Sequence, residues 1–292
     1  MMNQSTSIEM NPTPDNLGKP TIKERLSQFP WWFVALILIL IGTFIAIAIQ
    51  PSYTEAFNFI KAGLGITIRT TLIAFVIALF LGLITGLGRI SHNVFFKNLA
   101  TLYVEFIRGV PMLVLIFFIA FVAIPVVVGG MNELGHWFQT QGWNWIAGPF
   151  LALENKAIEM NVRAIIALSV TYGAFLAEIF RAGIQSVSKG QMEAARSQGM
   201  SSGQAMIYII LPQAIRNVLP ALGNDFVAML KDSSLVSVLA VRDITQVARL
   251  YAGRSFRFEE AYTILAILYL CMTIILSLVV KYIERRVRQD ER

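Results

Sequence analysis

The chain has 292 residues, 56% of them apolar and 14% charged, with a net charge of +6 and a mean hydropathy of +0.63. Soluble domains carry about 25% charged residues, so the apolar runs argue for one helical membrane domain rather than the two soluble domains this length would hold. A lone Cys271 excludes an internal disulfide, and His92 and His136 are too few for a metal motif. The G-x-x-x-x-G-K-[ST] pattern is absent, which excludes a self-contained P-loop ATPase. The basic residues gather beside apolar runs, as membrane anchors do, which argues against nucleic-acid binding.

Residues 1–28 are polar, contain Pro12, Pro14 and Pro20 and show no apolar period, which predicts a disordered cytoplasmic tail. Lys19, Lys23 and Arg25 then precede Trp31-Trp32 and an apolar run at 33–49. A basic flank before an apolar run also fits a secretory signal. About 19 residues with a tryptophan anchor suffice to cross a bilayer, however, so 29–50 is expected as a retained span with its N-terminus inside. Residues 63–88 form a second predicted span. There, Gly82-x-x-x-Gly86 permits close helix approach, and simple packing is its leading reading. Arg89, His92 and Lys97 suit a cytoplasmic turn.

A third span is predicted over 99–128. It contains Tyr103-Val104-Glu105-Phe106-Ile107-Arg108-Gly109-Val110-Pro111, with Glu105 and Arg108 on one helix face at i and i+3. Charges at membrane depth are costly, so these should face each other or a wet cavity. Residues 129–160 read as an irregular external loop, with Gly129-Gly130 and the interfacial residues Trp137, Trp143 and Trp145. It suits either a docking surface or a cap resting on the membrane. A fourth span, 162–187, carries a second i, i+3 pair, Glu178 and Arg181, placed near the inner membrane edge.

Residues 188–212 are a polar island. Glu193-Ala194-Ala195-Arg196-Ser197-Gln198 are good helix formers and Gly199 is a natural left-handed stop. Ser201 or Ser202 is placed to cap a short second helix from Gln204, and Pro212 interrupts that helix or starts another. The island therefore predicts a helix–turn–helix bracket outside the bilayer. The chain returns at 217–239 with Asp225, Lys231 and Asp232 at membrane depth, where a functional or structural internal role is the default. Residues 242–260 read as a polar external connection that is basic, against the positive-inside trend. A last span at 261–280 ends in Lys281, Arg285, Arg286, Arg288 and Arg292, a basic cytoplasmic end. This makes about six spans with both termini cytoplasmic.

The island's pattern, E-A-A-x-x-x-G, nine residues, then I-x-L-P, resembles the cytoplasmic loop of ABC importer permeases. Its fixed positions are Glu193, Ala194, Ala195, Gly199, Ile209, Leu211 and Pro212. The Y-x-E-x-x-R-G-x-P stretch, Ala177-Glu178-Ile179-Phe180-Arg181-Ala182-Gly183, Leu219-Pro220 with Asn224-Asp225-Phe226, and Lys231-Asp232-Ser233-Ser234-Leu235 resemble the polar amino acid branch of that family. The resemblance spans residues 60–285. It implies an all-α membrane protein of the type I ABC importer permease fold, with a five-helix core plus one N-terminal helix, in the bacterial inner membrane. It also implies that the island is a coupling helix docked on an ATP-binding subunit. The implied partners are two ATP-binding cassette subunits, a second permease subunit, an extracytoplasmic solute-binding protein and a small polar amino acid. No cofactor is expected on this chain, ATP and Mg being held by the partners.

Glu105, Arg108 and Asp225 are candidate substrate contacts if their spans meet. A zwitterion needs one group of each sign, and Arg108 offers a bidentate grip on its carboxylate. Pairing among themselves is the competing role. Glu178, Arg181, Lys231 and Asp232 are candidates for structural or pathway charges. The rival class is an ATP-independent secondary transporter or channel, which would also use buried charges and broken helices. Such a protein has no need of an ATPase-docking loop. No nucleophile–base or carboxylate-pair arrangement points to an enzyme.

Overall fold

The structure, a computed structural model, describes residues 31–289, and these contain helices and no β-strand. Lys19, Lys23, Arg25, the expected tail and Arg292 lie outside the described residues. Five helical segments are long and apolar enough to cross a membrane: Pro51–Arg89, Met112–Thr140, Met160–Ser186, Ser202–Leu239 and Phe258–Val287. A shorter apolar helix, α1 (Trp31–Ile49), precedes them. The described chain divides at residue 46 into two compact units, and most of α1 forms the first.

In the second unit, α2 (Pro51–Ile60) passes through one tight turn into α3 (Leu64–Arg89). Its proline sits at the first helical position, where a missing N–H costs nothing. The third span differs from the sequence expectation. The residue before a proline is pushed out of the helical region, and Val110 is extended at φ −111°, ψ 136°. The helix therefore breaks at Val110-Pro111. Glu105 and Arg108 fall on a separate helix, α4 (Val94–Gly109), and the span itself is Met112–Thr140.

That span comprises α5 (Met112–Phe118), one wide π turn (Ile119–Ala123) and α6 (Ile124–Thr140). The loop expected at 129–160 is instead mostly helical. Gly129 and Gly130 lie inside α6, where a side chain would meet open space, so they do not act as breakers. Gly142, at φ +80°, turns the chain into α7 (Asn144–Leu151). Phe138 of α6 stacks on Trp143 and touches Phe150, which closes a helical hairpin. Aromatic packing along both helices decides this element, and a reading of local breakers undervalues it.

The core is the seam between α3 and α8 (Met160–Ser186). Ala74 and Ala78 of α3 and Ala167, Ala174 and Ala177 of α8 are fully buried there. Small residues suit this role because in lipid the helices associate by close packing rather than by hydrophobic exclusion. A β-carbon on Gly82 would lie 2.7 Å from the Leu176 side chain, and one on Gly86 would lie 2.9 Å from the Ala177 carbonyl. The Gly82-x-x-x-Gly86 expectation is thus met, with α8 as the partner.

The island supplies α9 (Lys189–Ser197) and α10 (Ser202–Ala205). After a second π turn, Met206–Ile210, the chain continues without a break into α11 (Leu211–Asp232). Pro212 neither breaks the helix nor begins a separate one: it sits in the first turn of α11, within a helical segment that runs from Ser202 to Leu239. A proline ring crowds the carbonyl four residues back, and a π turn there widens the ladder to make room. Residues 242–260 also differ from the expected connection. Asp243 caps α12 (Ile244–Ser255) by accepting from the Gln246 N–H at 2.9 Å. Ile244, Ala248 and Ala252 bury against Ala56 and Ile60 of α2 and Ala261 and Ile264 of α13 (Phe258–Gln289).

Candidate functional site: the motif bracket and its charged roots

Two arrangements stand out, and they join. The first is the bracket. Ser188 caps α9, accepting from the Gly190 N–H. At the other end, the Gly199 N–H bonds to the Arg196 carbonyl at 3.0 Å and the Met200 N–H to the Ala195 carbonyl at 3.2 Å. With Gly199 at φ +84°, this is the left-handed stop that such paired bonds define. Ser201 and Gln204 then bond reciprocally and start α10. Glu193, Ala194 and Gly199 are exposed, whereas Ala195 is buried. Of the two alanines, only Ala194 is therefore open at the surface; Ala195 packs within its own chain. Ile209 and Leu211 pack with Ile184, Ile210 and Ala214 and with Leu87 and Ile90 of the α3 end. Ile207 and Tyr208 remain exposed beside the motif, at 59% and 68%. The motif spacing alone does not mark them.

The second arrangement lies just behind the bracket. Arg89 at the end of α3 donates to Glu178 Oε2 at 2.7 Å and to Glu105 Oε1 at 3.2 Å. Glu178 also accepts from Arg181 Nε at 3.0 Å, and Arg181 donates to Gln185 at 2.6 Å. The i, i+3 pair expected on α8 is therefore present. It is one part of a relay running from Gln185 through Arg181, Glu178 and Arg89 to Glu105. Arg89 is its hub, with 15% of its side chain exposed. The sequence marks Arg89 only as a turn residue; its signal there is a charge closing an apolar span.

The remaining candidates are not brought together as expected. Glu105 turns to Arg89 instead of Arg108, and Arg108 is exposed without an ion pair among the described residues. No hydrogen bond or ion pair among the described residues joins Glu105 to Asp225. Asp225 is half-buried on α11 and forms neither. Asp232 accepts from the Tyr172 hydroxyl at 2.7 Å, which ties the end of α11 to α8. Asn217, Asn224 and Lys231 are exposed at intervals of seven, one face of α11 seen every second turn. Arg69 is likewise exposed within a span and has no hydrogen bond or ion pair among the described residues. Its signal in the sequence was an arginine inside an apolar run.

The family model described as "Binding-protein-dependent transport system inner membrane component" matches residues 78–289, which include the bracket and the relay. This chain belongs to that family. It is 39% identical over 224 residues to the probable glutamine ABC transporter permease protein GlnM of Bacillus subtilis, covering 75% of this chain and 91% of that one. It is 29% identical over 226 residues to the glutamine transport system permease protein GlnP of Escherichia coli, covering 77% and 91%. In a crystal structure of an amino acid ABC transporter with histidines, one chain superposes with a TM-score of 0.62 at 37% identity, over 80% of this chain and 95% of that one. The fold is thus the type I importer permease fold, and the protein is a multi-pass membrane transport subunit rather than an enzyme. Permeases of this family act with ATPase and binding-protein partners.

Proposed function

We propose that this permease forms, with a second permease subunit, the pathway of an ATP-driven importer for polar amino acids. The bracket and both termini face the cytoplasm of a bacterial cell, and α7 and α12 face outward. Two ATP-binding subunits dock on the bracket and hold ATP and Mg; this chain binds no cofactor. A solute-binding protein delivers the amino acid from outside. The relatives' names support the substrate class.

The observation that carries the reading is how the bracket is held. Its outer surface, at Glu193 and Ala194, is free, while its inner surface packs on the ends of α3, α8 and α11. A push on α9 is therefore a push on those helices, because packed cores shift between discrete arrangements rather than deform. The Arg89 relay carries the same displacement to α4. Along the pathway, Asn217, Asn224 and Lys231 form the wetted face of α11. In this reading Asp225 takes the substrate ammonium, and Arg108 or Arg69 takes its carboxylate.

The test is reconstitution with the ATP-binding subunits and the solute-binding protein in proteoliposomes. Glutamine uptake should require ATP, and Glu193→Lys should abolish it while the permease still reaches the membrane. ATP-independent uptake of equal rate would overturn the assignment.

A further inference from the structure

The basic character of residues 242–260 has a structural counterpart. A cleft of about 470 Å³ opens between α2 and α12, lined by Asn58, Phe59, Arg242, Val247, Leu250 and Arg254. Both arginines are exposed and make no ion pair among the described residues. The acids nearby are engaged elsewhere. Glu55 accepts from Arg257 at 2.7 Å, and Asp243 turns inward to cap α12. The Asn58 oxygen accepts from Lys61 at 2.6 Å, so its amide nitrogen is left for the cleft. The cleft thus holds two arginines without an ion pair among the described residues and one amide side chain, set among apolar residues and with no acid in its lining.

That chemistry selects a carboxylate on an apolar stem. A free amino acid fits poorly, because its ammonium would stand beside Arg242 and Arg254 with no carboxylate in the lining to pair with it. A glutamate or aspartate on a protein surface carries no such ammonium. Guanidinium groups grip carboxylates bidentately. Unpaired charges at an outward face also steer a partner of opposite sign and speed its encounter.

We infer that the Arg242–Arg254 cleft is a docking site for an acidic side chain of the solute-binding protein. This rests on the orientation proposed above. It assigns α12 and the end of α2 as the outward contact surface of the permease.

The test uses the complete transporter in nanodiscs, with ATP hydrolysis followed as the solute-binding protein is titrated. For Arg242→Gln and Arg254→Gln, the concentration for half-maximal stimulation should rise at least about ten-fold, with unstimulated hydrolysis and the plateau unchanged. The wild-type value should rise with salt and the variants' much less, since screening acts on exposed charges. Unchanged half-maximal concentrations in both variants would overturn the inference and leave the importer reading intact. Absence of any stimulation in the wild type would instead overturn the importer reading. A defect that follows the phosphatidylglycerol content of the nanodisc, and not the titration, would make the cleft a lipid seat and defeat the inference.

Discussion

Gly82→Ala places one methyl group into the α3–α8 seam. Its carbon would lie 2.7 Å from the Leu176 β-carbon and 3.1 Å from the Ala177 nitrogen. Ordinary carbon contacts are about 3.5–4.0 Å, so the helices must part by about 1 Å. Leu176 and Ala177 are fully buried and cannot swing aside. Overpacking of this kind costs about 1–3 kcal/mol, and the better helix propensity of alanine returns up to about 1 kcal/mol. A net loss of about 1–2 kcal/mol is expected. Gly86→Ala should cost a similar amount, because its methyl would meet the Ala177 carbonyl at 2.9 Å and the Phe180 β-carbon at 3.0 Å.

The two effects should not add. Once the seam has opened for one methyl group, the second enters more easily, and neighbouring sites couple in this way. The control is Gly129→Ala, where the added carbon meets nothing within 4 Å and only the propensity gain remains. Tryptophan fluorescence during denaturation in sodium dodecyl sulfate would measure stability, and ATP-driven uptake would measure function. Uptake should fall as well, since the seam sets the 2.7 Å contact of Arg89 with Glu178. If Gly82→Ala proved as stable as Gly129→Ala, or if the double variant lost the full sum, the tight-seam argument would be refuted.

Arg89→Gln removes the hub of the relay from a site only 15% exposed and leaves Glu178 to Arg181 alone. A loss of about 1–3 kcal/mol is expected for a charged partner removed at partial burial. Uptake should drop while the ATP-binding subunits still co-purify, with Arg89→Lys recovering part of it. Gly199→Ala strains a φ of +84° by about 1 kcal/mol. It should weaken ATPase assembly in pull-down without lowering the permease level in the membrane. Burial pushes the Asp243 carboxyl up to about 6, against the pull of the N–H groups that it accepts from. The folded state then binds the proton more tightly than the unfolded chain, whose value is about 3.9. Stability should therefore fall by about 3 kcal/mol as pH rises from about 4 through 6, and stay low above that. Thermal melts should show this slope in the wild type and a flatter one in Asp243→Asn; matching slopes would exclude the assignment.

The family, the all-helical membrane class and the bracket were readable in the residues themselves. Their signals are local. Gly199 and Ser201 specify a turn and a cap by their own backbone chemistry, and spans announce themselves by apolar length. The Glu178–Arg181 pair was also legible, because i and i+3 meet on any helix. Local signals misled where packing outweighed them. Gly129-Gly130 reads as a break but sits within a helix locked by Phe138, Trp143 and Phe150. The basic connection after residue 241 became a helix because Ile244, Ala248 and Ala252 found α2 and α13. Pairing across elements lay beyond the sequence altogether. Glu105 faces Arg108 by spacing, yet it bonds Arg89, because the glycine seam brings the α3 end against α8 and the break at Val110-Pro111 frees α4 to join them. Spacing fixes which side chains share a helix face; which helix that face meets is decided by the close packing of small residues across the whole bundle.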